Sequence, residues 1–110
     1  MKQLLLHATL LAALVSFNAM AQKTEEIVIV IKNHRVEPAE VSVPAGRKFN
    51  LTVDNQDATP EEFDSKSLRI EKVIPGKRKA TINLGPLKPG SYPFVGEFNE
   101  STAKGSLNAK

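Results

Sequence analysis

Cysteine and tryptophan are absent from all 110 residues, and histidine occurs only twice, at His7 and His34. Without thiols the chain forms no disulfide, does no thiol redox chemistry and builds no thiolate metal site. Both methionines, Met1 and Met20, lie in the N-terminal segment, so thioether ligation is excluded beyond it, as is any multi-histidine cluster. Charge of one sign is scarce too. Fifteen basic residues against 12 acidic give a net +3, too small an excess to argue for nucleic acid as a partner. The length allows one domain.

A long hydrophobic run is also missing. The one apolar stretch, residues 4–17, is too short to cross a bilayer comfortably. It follows Lys2 and precedes Ala19-Met20-Ala21, small residues at the two positions a signal peptidase reads. Residues 1–21 therefore read as a cleaved signal peptide with Gln22 as the new N-terminus, and 22–110 as an exported, periplasmic domain. With no cysteine staples, its core must hold the fold alone.

What is present after residue 22 is β-patterned. All seven Pro and six Gly are spread through this part, and no helical period emerges. Residues 26–32 (EIVIVIK) form an almost unbroken β-branched run, expected to be buried on both faces. Residues 40–43 alternate before the Pro44-Ala45-Gly46 turn. Residues 48–54 alternate with Phe49, Leu51 and Val53 on one face, and residues 79–84 with Ala80, Ile82 and Leu84 inward. Further strands are expected at 68–73, 91–95 and 104–108, with 55–65 as a polar, carboxylate-rich loop. Seven short strands separated by Gly/Pro turns predict an all-β sandwich.

The order of signals carries a resemblance. Residues 36–46 (VEPAEVSVPAG), 53–57 (VDNQD) and 85–98 (GPLKPGSYPFVGEF) follow one another as in cupredoxin-like domains. The resemblance spans residues 26–109 and implies a Greek-key β-sandwich of the cupredoxin type. Residues 57–65 (DATPEEFDS) with Gly96-Glu97-Phe98 look like the periplasmic iron-uptake branch, which includes the cupredoxin domain of EfeO-type proteins. In blue-copper members two His, one Cys and an axial Met hold the metal. By motif position the first His falls at Glu61 (or Glu62), the Cys at Gly96, the second His at Asn99 and the Met near Ala103. None is retained, so no type-1 copper centre is expected.

If the implied fold holds, the loops at 57–64 and 96–100 meet at one end of the sandwich. That would bring Glu61, Glu62, Asp64 and Glu97 together, with Asp57 and Glu100 near. Clustered carboxylates suit hard or borderline cations, iron among them, rather than Cu⁺. The competing reading is a solvated acidic surface, or one paired with Lys66, Arg69 and Lys72. Phe63 and Phe98 are expected to anchor the two loops; Tyr92 and Phe94 read as core. His34, beside Lys32 and Arg35, lacks the convergent donors that a ligand needs, and Lys77-Arg78-Lys79 reads as a solvated turn and strand edge. Nothing suggests a nucleophile, an oxyanion hole or a small-molecule substrate pocket, so no enzyme is expected. Two functions follow: an iron-binding accessory of iron uptake, working with an inner-membrane iron permease, or a metal-free cupredoxin-fold module that docks to a membrane transporter.

Overall fold

The computed structural model describes residues 23–110; the expected signal peptide and Gln22 lie outside the described residues. Nine strands follow one another: β1 (Glu25–Lys32), β2 (Arg35–Glu37), β3 (Glu40–Val43), β4 (Phe49–Asn55), β5 (Glu61–Ser65), β6 (Ile70–Ile74), β7 (Lys79–Leu84), β8 (Gly90–Gly96) and β9 (Lys104–Ala109). A 3-10 turn, Glu97–Asn99, follows β8. The strands form two sheets, ordered β2-β1-β4-β7 and β3-β9-β8-β5-β6. Two pairings are parallel, β1 with β4 and β3 with β9; the others are antiparallel. The chain crosses between the sheets repeatedly, as in the expected all-β sandwich.

The core is built by alternation. Ile27, Ile29 and Ile31 of β1, and Phe49, Leu51 and Val53 of β4, point inward against Phe63, Ile74, Phe94 and Leu107 of the second sheet. Phe63 and Phe94 tilt against each other with ring centroids 4.9 Å apart, a favourable aromatic geometry. Ala80, Ile82 and Leu84 of β7 pack on this core from its edge.

Three sequence expectations are corrected. β1 is buried on one face only: Val28 is 53% exposed, because nothing covers the outer face of the first sheet among the described residues. The strand expected at 68–73 begins later, at Ile70, since Arg69 takes a left-handed conformation (φ 55°) that ends the preceding turn. The segment 55–65 is not all loop. Asn55 completes β4, and residues 61–65 form β5, the strand that carries the candidate site.

Candidate functional site

β5 reads Glu-Glu-Phe-Asp-Ser, and its side chains alternate between the two faces of the sheet. Glu61, Phe63 and Ser65 turn inward and are buried; Glu62 and Asp64 turn outward and are half-buried. One strand therefore sends its carboxylates to opposite sides. The expected convergence of all four, Glu61, Glu62, Asp64 and Glu97, does not form: strand alternation turns Glu61 inward, while Glu62, Asp64 and Glu97 stay within electrostatic reach of one another. Among the described residues, no three His, Asp or Glu side chains are arranged so that they could hold a metal ion.

Glu61 is 1% exposed and uses both carboxylate oxygens. Oε1 accepts hydrogen bonds from the backbone N–H of Glu62 (3.0 Å) and of Phe98 (2.9 Å). Oε2 accepts one from the Asn99 side-chain amide at 2.7 Å. Two of these donors lie in the 3-10 turn, so a β5 side chain ties down the loop between β8 and β9. A buried carboxyl group without such partners would be costly.

The other two positions implied by the resemblance close around the same carboxylate. A Cβ at Gly96 would lie 2.7 Å from Glu61 Cδ and 2.8 Å from the Ala103 Cβ. Gly96 also donates its N–H to the Ala103 carbonyl at 2.7 Å, and Ala103 is fully buried. Glu61, Gly96, Asn99 and Ala103 thus meet in space, as motif position implies. The group they form is a packed, hydrogen-bonded plug. Copper does not fit it: there is no sulfur or imidazole donor, and Glu61 occupies the space beside Gly96 where a thiolate side chain would stand.

The remaining acidic residues take separate roles. Asp57 receives the backbone N–H groups of Asn33 (2.8 Å) and His34 (2.9 Å), capping the turn between β1 and β2. The hydrogen bond from the His34 amide above all holds its pKa below the ordinary value; burial opposes it, and the Asn33 amide and the nearby charges of His34 and Lys77 add to the lowering. His34 stands in that turn at φ 58°, not at the acidic end. Glu97 opens the 3-10 turn and is exposed; repulsion from Glu62 foremost, with some burial and the charges of Asp64 and Glu100, raises its pKa. Phe63 is core, whereas Phe98 is 52% exposed and shields nothing. The Tyr92 hydroxyl donates to the Lys88 carbonyl at 2.7 Å, pinning the loop before β8.

Sequence reasoning missed two polar anchors. Asn55 is fully buried, and its amide lies within hydrogen-bonding distance of the carbonyls of Thr59, Ile74 and Pro75, holding the 55–60 loop against the end of β6. Its signal was parity, since 49, 51, 53 and 55 share one face. Asn99 is the second; only its motif position marked it.

Comparison with known proteins places the fold. The sequence matches the family model of the Cupredoxin-like domain over residues 5–109. An uncharacterized protein of Rickettsia prowazekii (strain Madrid E) is 42% identical over 82 residues, which are 74% of this chain and 66% of that protein. The chain thus spans about two thirds of that relative's length. Auracyanin A, a "blue" copper protein from Chloroflexus aurantiacus, superposes with a TM-score of 0.65 at 12% identity, covering 80% of this chain and all of the other. The metal-binding domain of the Streptococcus pneumoniae Cu(I)-exporting P-type ATPase CopA also gives 0.65, at 18% identity, over 77% of this chain and 84% of that one. The purple cupredoxin from Nitrosopumilus maritimus gives 0.59 at 15% identity, over 76% and 99% of the two chains. At these identities the structural likeness speaks to fold alone, but with the family match it is enough: the chain belongs to the cupredoxin-like domain family.

Proposed function

We propose that this chain is a cupredoxin-fold module that works by protein contact, with its ancestral metal position filled by a carboxylate plug. The observation that carries this reading is Glu61, whose two oxygens are engaged by three donors of its own fold. A cation entering there would have to strip those bonds and leave the Phe98 and Asn99 donors unsatisfied. A membrane transporter is the partner class this reading favours, and a catalytic role has no support from the side chains present.

The test is a metal titration followed by thermal melting and visible absorption. Cu²⁺, Fe³⁺ and Mn²⁺ should leave the melting temperature unchanged at about 0.15 M salt, and Cu²⁺ should give no intense charge-transfer band. A saturable, one-to-one rise in melting temperature overturns the reading, because a ligand that binds the native state must stabilise it.

A second reading is supported by the raised pKa of Glu97. Its repulsion from Glu62, Asp64 and Glu100 is the field that a hard cation would relieve, which favours the iron-binding accessory of EfeO-type resemblance. On that reading Glu62→Gln with Glu97→Gln abolishes a metal-induced shift seen in the unsubstituted chain.

A further inference from the structure

On the outer side of the second sheet, Pro93 and Val95 of β8 floor a cleft of about 400 Å³, bordered by Asp64, Lys66 and Glu100. The floor is mostly apolar, and the border is acidic. Glu62 shares the outward face of β5 with Asp64, and Glu97 opens the turn that leads to Glu100, so both stand beside this border; the charges of Glu62, Asp64 and Glu100 raise the pKa of Glu97 accordingly. Lys66 is the one cation lining the cleft. Among the described residues the single ion pair is Arg47 with Glu25, elsewhere on the molecule, so none of these carboxylates is paired. A chain with net positive charge thus carries an acidic excess here, since Asp64, Glu100, Glu62 and Glu97 outnumber Lys66 at the border and Lys104 across from Val95, and there it opens an apolar cleft.

We infer that this cleft docks a segment of a partner protein in which an apolar side chain is flanked by lysine or arginine. The apolar side chain would fill the space over Pro93 and Val95, while the cations meet Asp64 and Glu100 at the border. A bare cation would answer the charge and leave the cleft empty. A second copy of the chain is a poorer occupant, because Lys77-Arg78-Lys79 holds no apolar residue between its charges, and Leu68 and Ile70, which stand between Lys66, Arg69 and Lys72, pack against its own core. Complementary charge brings partners together and fixes orientation, while the apolar contact supplies the retained complex.

The inference rests on the protein-contact reading, and the two fail separately: metal-induced stabilisation defeats that reading, whereas the cleft is tested with peptides. The probe is a capped Lys-Leu-Lys-Leu-Lys peptide added to the isotopically labelled chain, with amide resonances followed by NMR at about 0.15 M salt. Saturable shifts should centre on Asp64, Lys66, Val95 and Glu100. Asp64→Asn combined with Glu100→Gln should weaken binding by about fivefold, the scale of one or two exposed ion pairs, without altering the spectrum of the core. Replacing leucine by glycine in the peptide should weaken it further. Equal binding of the glycine peptide reduces the effect to general attraction by an acidic surface and overturns the inference. So do shifts centred on another face, no binding at all, or displacement of the peptide by an equimolar divalent cation.

Discussion

Glu61 and Gly96 constrain each other at van der Waals range, and substitutions at the two positions should not add. Glu61→Ala leaves the Phe98 N–H and the Asn99 amide without their acceptor and should cost about 2–3 kcal/mol. Gly96→Ala pushes a methyl group toward Glu61 Cδ and the Ala103 Cβ, an overpacking worth about 1–3 kcal/mol. In the double variant the new methyl group enters the vacated space, so the combined loss should fall short of the sum. Denaturant titration of the four proteins measures this coupling, and strict additivity would show that the two do not share a cavity. Glu61→Gln should be milder than Glu61→Ala, because Asn99 can flip and present its carbonyl to the new amide.

Asp57 carries the residue-scale dependence on pH. Its folded pKa lies below the ordinary 3.8, chiefly because of the hydrogen bond from the His34 amide. A carboxyl depressed by folding contributes stability that is fully present above its unfolded pKa and is lost as pH falls through its folded one. The turn between β1 and β2 should therefore stay tied down to about pH 4 and loosen only below that. The Asn33 and His34 amide resonances should report this in an acid titration. Asp57→Asn, with one acceptor oxygen for two donors, should remove that step and speed exchange of one of these amides at neutral pH.

At the scale of the strand, adjacent side chains on β1 should differ sharply in cost. Ile29 is fully buried, so Ile29→Ala should lose about 3 kcal/mol; Val28, 53% exposed, should accept Thr within about 0.5 kcal/mol. Thermal melts of both variants test which face is inward. Period-2 hydrophobicity made β3, β4 and β7 legible in the sequence to within a residue, and the spacing of the Gly/Pro turns placed β8 and β9 about as well. The period hid β5, because the inward residues Glu61 and Ser65 are polar and rely on partners far along the chain: Phe98 and Asn99 for Glu61, and the Pro93 carbonyl for Ser65 at 2.7 Å. It also hid β2, whose three residues are too few to show a period. The positions of the site were readable only through the family pattern. That Glu61 forms a plug rather than one corner of a carboxylate cluster depends on strand parity, which reading the segment as a loop discards.

For the whole molecule, the informative feature is the location of β9. Residues 104–109 form neither an edge nor a tail: β9 lies between β3 and β8, and pairs in parallel with β3 from Glu40↔Ser106 to Val43↔Ala109. Any partial chain that stops short of β9 has β3 with no neighbour and β8 open along one side, leaving exposed the apolar surface that Leu107 and Ala109 would cover. Loop closure over so many residues is slow, and no local hairpin substitutes for it. The second sheet therefore cannot close without residues 104–109, and a chain truncated before β9 should lose protease resistance along β3 and β8.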